Sequence, residues 1–320
     1  MIEHNDDAYV MMLLTMPLSP ISDGSLSPLS ADEFASLGAL LEPNTNVKLR
    51  QLLGQDVAGL QNMLGVGEEF AYRLCLLLSR QLLLGRLIED SLNSETEIIT
   101  PFDRQYPDSL KRRLGIYQCP ALFLKGNPDL LGARYIGVTG ISGIRTAPEL
   151  RSGLEKLVVR AAANGFGLIT GSEAGVCRLA AGFALENDGR IVCALTGGFD
   201  DFTSDAGHAF AIKCGNMAVI SPAHPASKPN NALLPLRNRL IFSLSRAGFV
   251  ITSDGKRSET EAVRKKLCDN LYLLTDPALP LNGALRQKGF TEIEDLGELD
   301  IDALSRLWQA PAVEQMSLFS

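Results

Sequence analysis

The stretch RNRLIFSLS at residues 237–245, followed by GFVIT at residues 248–252, decides the fold class. A loop that ends at Pro235 leads into an apolar helical run, and a short strand-like segment comes directly after it. Such units build parallel sheets that are covered by helices on both faces. Arg237, Asn238 and Arg239 stand at the mouth of this unit, where they offer forked donors to phosphate or carboxylate oxygens. The alternative is a helix cap that orders neighbouring acidic side chains.

Short apolar runs alternate with helical segments from about residue 97 onward. This alternation predicts an α/β fold with a Rossmann-like, doubly wound and mostly parallel sheet. The predicted strands are Tyr135–Thr139, Gly167–Thr170, Ile191–Leu195, Ala218–Ile220, Gly248–Thr252 and Leu271–Leu274, and the predicted helices among them are Ala147–Asn164 and Val176–Asn187.

The first 95 residues have a different pattern, with helical spacing over Ala31–Leu41, Leu49–Leu53 and Phe70–Leu87. Residues 291–320 carry seven acidic residues and one basic residue. We therefore predict an N-terminal helical domain over residues 1–95 and a Rossmann-like domain over residues 96–290. Residues 291–320 are expected to form an acidic, flexible tail.

The net charge of −7 conceals a local basic segment. Residues 237–266 hold eight basic and three acidic residues, and local patches rather than net charge steer anionic ligands. The overall acidity therefore does not exclude a polyanionic partner.

Cysteine spacing and hydropathy narrow the class of protein further. The six cysteines include no C-x-x-C pair and the chain has three histidines, so we expect neither disulfides nor a metal site, and no cofactor. The apolar run Tyr9–Leu14 is too short to span a bilayer and lacks a basic flank, so we expect a cytoplasmic protein without membrane segments.

Three loops that follow predicted strands carry residues suited to anions. Neither a G-x-G-x-x-G fingerprint nor a Walker lysine is present, and each loop alone is equally consistent with turn chemistry. Because carboxyl ends of parallel strands share one edge, together they predict an anion cleft there. The residues concerned are Gly140, Ser142, Gly143 and Arg145 in the first loop, Gly171 and Gly175 in the second, and Arg237, Asn238 and Arg239 with Lys256 and Arg257 in the third.

Several motifs occur together in a recognisable order. They are YPxxL at residues 106–110, CPALFLKG at residues 119–126, the two glycine loops, the segment Leu195–Asp200, the Arg-Asn-Arg tripeptide and NGAL at residues 282–285. Over about residues 45–290 the chain thereby resembles the DNA-processing protein A (DprA/Smf) family. The resemblance implies an extended Rossmann fold and a homodimer. It also implies that the chain binds single-stranded DNA and hands it to a recombinase.

The sequence departs from the family pattern in both glycine loops. In the first loop the family has Gly-Ser-Arg, and here Ile141 and Ser142 replace the Ser and the Arg. In the second loop the family has Gly-Ile-Asp and a later His, and here Val176 replaces the Ile, Cys177 the Asp and Ala181 the His. Diverged relatives of this kind resemble components of phage-defence or toxin–antitoxin pairs, in which the DprA-like protein restrains a toxin. A regulatory role of that type is therefore an alternative.

A second alternative is enzymatic. The fold is similar to that of LOG-type nucleoside-monophosphate phosphoribohydrolases, for which Glu259 or Glu261 could supply the acidic residue. The Pro-Gly-Gly-x-Gly-Thr phosphate loop of those enzymes is absent, so we expect a protein that is not an enzyme.

Two short motifs lie outside the Rossmann-like region. LGVGxxxA at residues 64–71 resembles the hairpin of a helix-hairpin-helix module, within a SAM-like or helix-hairpin-helix-like domain, although a plain interhelical turn is equally consistent. QMSLF at residues 315–319 resembles the peptide with which bacterial proteins bind the replicative sliding clamp. Gln315 would hydrogen-bond at the pocket edge, and Leu318 and Phe319 would fill an apolar slot; the alternative is a tail that packs on its own protein.

The leading hypothesis is a non-enzymatic protein that binds single-stranded DNA. Arg237 and Arg239 would grip phosphates, and Asn238 would order the loop or touch a base. Arg145, Lys256 and Arg257 would extend the phosphate path, while the glycine loops would present backbone amides.

Overall fold

The computed structural model describes residues 4–20, 26–41, 47–140, 148–253, 257–275, 285–286 and 288–309, with the backbone alone at residues 257, 258 and 260. Ser142, Gly143, Arg145, Lys256 and the clamp-like residues Gln315, Leu318 and Phe319 lie outside these ranges. None of the helices within them combines the length and apolar character needed to cross a bilayer.

The chain divides into two compact units. The first comprises Met1–Gly132 and Cys193–Arg237, and the second comprises Ala133–Val192 and Asn238–Ser320. This division does not follow the predicted boundaries near residues 95 and 290. The reason is long-range strand pairing, because residues 123–126 pair with residues 218–221 and so draw the two parts of the first unit together.

The described residues contain nine strands: β1 (Thr96–Ile99), β2 (Leu122–Gly126), β3 (Tyr135–Thr139), β4 (Gly167–Gly171), β5 (Ile191–Ala194), β6 (Met217–Ser221), β7 (Ser245–Val250), β8 (Asn270–Leu274) and β9 (Thr291–Ile293). The order is β1-β2-β6 in the first unit and β4-β3-β7-β8-β9 in the second, and β5 contains the boundary between the units at Cys193. In the first unit β2 pairs antiparallel with β1 and β6. In the second unit β3 is parallel to β4 and β7, and β8 is parallel to β7 and β9.

The predicted fold class, α/β with a mostly parallel sheet and a helical N-terminal region, is confirmed. Six predicted strands correspond to β3 through β8. The edge strands β1 and β9 and the neighbouring β2 are not among the predicted strands; β1 (TEII) and β9 (TEI) contain only two and one apolar residues, which do not form an apolar run.

The helices of the first unit are α1 (Asp6–Thr15), α2 (Ala31–Leu40), α3 (Val57–Leu64), α4 (Glu68–Leu78), α5 (Gln81–Asn93), α6 (Asp108–Arg113), α9 (Asp200–Thr203) and α10 (Ala206–Lys213). Helices α7 (Pro148–Ala163), α8 (Val176–Glu186), α12 (Arg257–Arg264) and α13 (Ile301–Gln309) belong to the second. Helix α11 (Leu234–Leu244) contains the boundary between the units, and 3₁₀ turns occupy Leu49–Leu52, Pro128–Gly132 and Asn231–Leu233.

The predicted continuous helix Phe70–Leu87 is two helices, α4 and α5, that are interrupted at Ser79 and Arg80. The Arg80 guanidinium donates to the carbonyls of Leu13 and Met16 at the end of α1. Burial lowers the pKa of Arg80 to about 10. A long-range cap of α1 thus coincides with the break, and residue spacing within α4 and α5 does not reveal it.

The turn between α3 and α4 has a conventional structural explanation. Gly65 ends α3 with a φ of 67°, and Gly67 precedes α4. Glu68 and Glu69 occupy the first turn of α4, where their carboxylates complement the positive end of the helix dipole and would repel a phosphate. This arrangement favours an interhelical turn over a DNA-binding hairpin.

The prediction of a flexible tail from residue 291 is wrong for residues 291–309. Strand β9 extends the sheet beside β8, and α13 packs against α7 with Trp308 only 1% exposed. The charge count hides an amphipathic pattern: Ile301, Ser305 and Trp308 recur at helical spacing and are all buried.

Candidate nucleic-acid interface

Polar residues gather where the parallel strands of the second unit end. We call this edge the carboxyl rim: Thr139–Gly140, Gly171–Gly175, Ile251–Ser253 and Thr275 follow or close β3, β4, β7 and β8. Thr139, Thr252 and Thr275 are buried. The hydroxyls of Thr139 and Thr275 donate to the carbonyls of Phe249 and Ile293. The carboxyl rim is the edge at which open α/β sheets bind ligands.

Gly140 is packed closely against Thr252 and Val176. A Cβ atom there would lie 2.7 Å from Thr252 Oγ1 and 2.7 Å from Val176 Cβ. The Cys177 thiol donates to the Gly140 carbonyl at 3.6 Å. The structure therefore brings together Gly140, the start of α8 that follows the second glycine loop, and Thr252 after β7.

The second glycine loop leads into α8. Gly175 has a φ of 94° and a ψ of −131°, a conformation that favours glycine, and it caps α8 without a side-chain acceptor. The start of this helix carries the positive end of the helix dipole, which favours an anion. The half-buried Glu173 lies in the same loop and adds one negative charge.

The Arg-Asn-Arg tripeptide lies inside α11 rather than in the loop before it. Helix α11 leads directly into β7, so its first turns lie toward the carboxyl end of that strand. Arg237 is only 3% exposed and Asn238 only 7%. The Arg239 side chain retains 18% exposure. Of the three predicted contacts, only Arg239 is partly open to solvent in this conformation.

Arg239 belongs to a cluster of charges on α11 and α12. Glu261 Oε1 lies 3.8 Å from Arg239 Nη1, 3.9 Å from Arg264 Nη2 and 2.9 Å from Lys265 Nζ. We call these four residues the basic cluster, because three cations share one carboxylate. Burial alone would raise the pKa of Glu261, but the Lys265 hydrogen bond and the three positive charges outweigh it and lower the pKa below its ordinary value.

Two further predicted residues, Gly171 and Arg257, lie at the ends of secondary-structure elements. Gly171 closes β4, and the backbone of Arg257 begins α12. Glu259 is buried, and Glu261 is engaged by three cations, so neither carboxylate is presented openly as a hydrolase would need for a sugar substrate.

Sequence reasoning missed the buried hydroxyls of Thr139, Thr252 and Thr275, and it did not place Lys265 beside Arg239. The sequence signal that could have revealed these hydroxyls is a threonine at or just after the end of each of three apolar strands.

The family model and the curated relatives that match this chain all describe DNA processing protein A. A family model for DNA recombination-mediator protein A matches residues 97–262. The chain is 30% identical over 161 residues to the DNA processing protein DprA of Streptococcus pneumoniae, covering 48% of this chain and 52% of that protein. It is 28% identical over 157 residues to DprA of Bacillus subtilis, covering 48% and 51%. The chain thus spans about half the length of the curated relatives it matches.

Solved structures show the same fold. The X-ray structure of DprA from Streptococcus pneumoniae matches with a TM-score of 0.62 at 18% identity, over 97% of this chain and 100% of that chain. DprA from Helicobacter pylori, studied for its single-stranded DNA binding mode, matches with a TM-score of 0.52 at 20% identity, over 66% and 96%. Since the family model matches more than half of the 320 residues, the chain belongs to the DNA recombination-mediator protein A family.

Proposed function

We propose that this protein binds single-stranded DNA and acts in DNA processing. The phosphate backbone would contact the basic cluster and the carboxyl rim of the second unit. Family membership supports the process, and the Helicobacter pylori relative supports the ligand. Phosphate contacts supply sequence-independent affinity, which suits a protein in which aromatic residues make up 6% of the chain.

The charge imbalance of the basic cluster carries this proposal. Three cations, Arg239, Arg264 and Lys265, lie within 4 Å of the single Glu261 carboxylate, which concentrates positive charge beside α11 and α12. The Arg239–Glu261 distance of 3.8 Å exceeds the 2.7–2.9 Å of a strong charge-assisted hydrogen bond. The Arg239 side chain is 18% exposed, so a phosphate oxygen would approach it from the solvent side.

Arg237 and Asn238 have a supporting role in this proposal. Both side chains are buried, so they would fix the first turns of α11 and hold Arg239 in position. The amides of the Gly171–Gly175 loop and the start of α8 would receive a second phosphate. Arg145, Lys256 and Arg257 remain proposed extensions of the path.

A matched pair of arginines tests the proposal. Arg246 also faces one carboxylate, Asp269 at 3.4 Å, but it lies at the amino end of β7, opposite the carboxyl rim. Affinity for a labelled oligothymidylate would be measured by fluorescence anisotropy across a salt series. Arg239→Ala should weaken binding about tenfold or more and lower the log–log salt slope by about 0.7 per lost phosphate contact.

Arg246→Ala is the control and should leave both affinity and slope unchanged. Equal losses in the two variants would indicate nonspecific attraction, and an unchanged affinity in Arg239→Ala would remove the basic cluster from the interface. Thermal melting of each variant verifies that the fold is intact.

Partner recognition extends the same proposal. In the processing role, DNA held by the second unit would pass to a recombinase, and two copies of the chain would act as a homodimer.

In the regulatory alternative, Arg239→Ala would lose DNA affinity yet still restrain a cognate toxin. The sliding-clamp contact is separable, because deleting residues 315–320 should abolish co-purification with the clamp and leave DNA affinity unchanged.

A further inference from the structure

The first unit contains a cavity of about 900 Å³ that is distant in sequence from the basic cluster. Its walls come from α5, the β1–β2 pair and the α9–α10 segment. They include Ser91, Leu92, Glu97, Lys125 and Lys213. Its volume falls within the range of about 300–1,000 Å³ that is typical of ligand sites.

The cavity lies against β1, the end strand of the sheet in the described residues. Three consecutive strand residues, Thr96, Glu97 and Ile98, line it, although side chains alternate between the two faces of a strand. Lys125 and Gly126 of β2 also line the cavity, so it lies beside the first residues of β1, where β1 has β2 on one side and no strand on the other in the described residues. Residues of α5 and of the α9–α10 segment line the cavity as well.

The outer edge of β1 has no strand partner among the described residues. Within the part of the chain that the structure describes, the backbone of Glu97 and Ile98 pairs only with β2. An edge strand presents alternate N–H and C=O groups outward, where they can pair with another extended segment.

Two buried side-chain atoms in the same cavity also have no partner among the described residues. They are the Ser91 hydroxyl, on a residue only 3% exposed, and Glu97 Oε2. Buried polar atoms are nearly always hydrogen-bonded because leaving one unsatisfied is costly. The carboxylate oxygen accepts only, so it requires a donor, most favourably a cation.

We propose that β1 accepts an extended peptide from a partner protein as an additional strand, with a lysine or arginine side chain of that peptide reaching Glu97. Backbone bonds to β1 would supply affinity, and Glu97 would select the basic residue. Pairing of β1 with a second copy of itself is disfavoured, because it would bring Glu95 and Glu97 of both copies together. The site is independent of DNA binding.

Labelled hexapeptides that alternate valine with lysine, serine or glutamate are suitable probes, with affinity for the full-length protein read by fluorescence anisotropy. The lysine peptide should bind most tightly and the glutamate peptide least. Glu97→Gln should weaken the lysine peptide about tenfold or more and leave the serine peptide unchanged. Glu97→Lys should reverse the preference.

Glu89→Gln is the matched control, since Glu89 is an exposed carboxylate on α5 that does not line the cavity. It should leave all three affinities unchanged. Equal weakening in both variants, or the absence of lysine-peptide binding at millimolar concentration, overturns the proposal.

Backbone pairing is tested separately by methylating alternate amides of the lysine peptide. Only one of the two methylated forms should lose binding, because alternate amides face the neighbouring strand. Hydrogen exchange should then show protection of outward amides in β1 that appears with the peptide. Protection already present in the free protein would indicate another occupant, either a second copy or this chain itself, and would overturn the proposal.

Discussion

Two regions of the second unit differ in chemistry: the carboxyl rim is polar, and a cluster around Trp308 is aromatic. At the carboxyl rim, threonine hydroxyls and glycine backbone meet, and the partly exposed Arg239 stands nearby in the basic cluster. In the aromatic cluster, Trp308 of α13 makes edge-on contacts with Phe166, Phe249 and Tyr272, with ring centroids 5.6–6.3 Å apart. The Trp308 indole N–H donates to the Tyr272 hydroxyl at 3.2 Å.

The contrast separates residues that hold the unit together from residues that are available to a ligand. The aromatic cluster has its hydrogen-bond and packing needs met internally, and it is buried. The basic cluster combines three cations with partial exposure, which contribute little to folding but suit an anion. Mutations in the two regions should therefore separate stability from DNA affinity.

The largest expected effect is on stability. Trp308→Ala should lower the free energy of unfolding by about 3–5 kcal/mol, because it empties the centre of the aromatic cluster. Chemical denaturation measures this loss. DNA affinity of the folded fraction should stay unchanged.

Trp308→Phe is the milder companion variant. It keeps the edge-on packing and removes the donor to Tyr272, so its loss should be smaller than that of the alanine variant. A large affinity loss in folded Trp308→Phe would break the contrast between the two regions.

An intermediate effect is expected at the carboxyl rim. Gly140→Ala should destabilise the fold by about 1–3 kcal/mol, because its Cβ would lie 2.7 Å from both Thr252 Oγ1 and Val176 Cβ. It should also weaken DNA binding, since Gly140 would be pushed away from Thr252 and from the start of α8. Denaturation and anisotropy on the same sample measure both losses.

Gly182→Ala is the control, since a Cβ at this position of α8 meets nothing within 4 Å. It should stabilise the helix by up to about 1 kcal/mol and leave DNA affinity unchanged. Equal behaviour of the two alanine variants would show that close packing at Gly140 is unimportant.

The smallest effect should have opposite signs for folding and for binding. Glu261→Gln removes the anion of the basic cluster, so stability should fall by about 1 kcal/mol or less while affinity for single-stranded DNA rises a few-fold. Denaturation and anisotropy at pH 7 test both signs. A fall in affinity would show that Glu261 positions Arg239 rather than competing with DNA.

The stability difference should also depend on pH. Because the folded-state pKa of Glu261 is below 4.5, its contribution is fully present above that pH and is lost as the pH falls through the lower, folded-state value. The melting difference between the native protein and Glu261→Gln should thus be constant from pH 6 to 8 and shrink under acid conditions. A difference that persists at low pH would exclude an ionic origin.

The sequence by itself determined the fold class, the central strands and the family. Runs such as Tyr135–Thr139 and helices such as Val176–Glu186 are encoded locally, because continuous apolar segments and helical spacing are visible over a few residues. The glycine loops and the tripeptide could be named for the same reason.

Only the tertiary structure decided how those residues are used. It buried Arg237 and Asn238, placed Arg239 beside Glu261, and turned an apparently flexible acidic segment into β9 and α13 around Trp308. These outcomes depend on partners far away in the chain. Burial and ion pairing follow from long-range packing, which the spacing of residues along one segment does not specify.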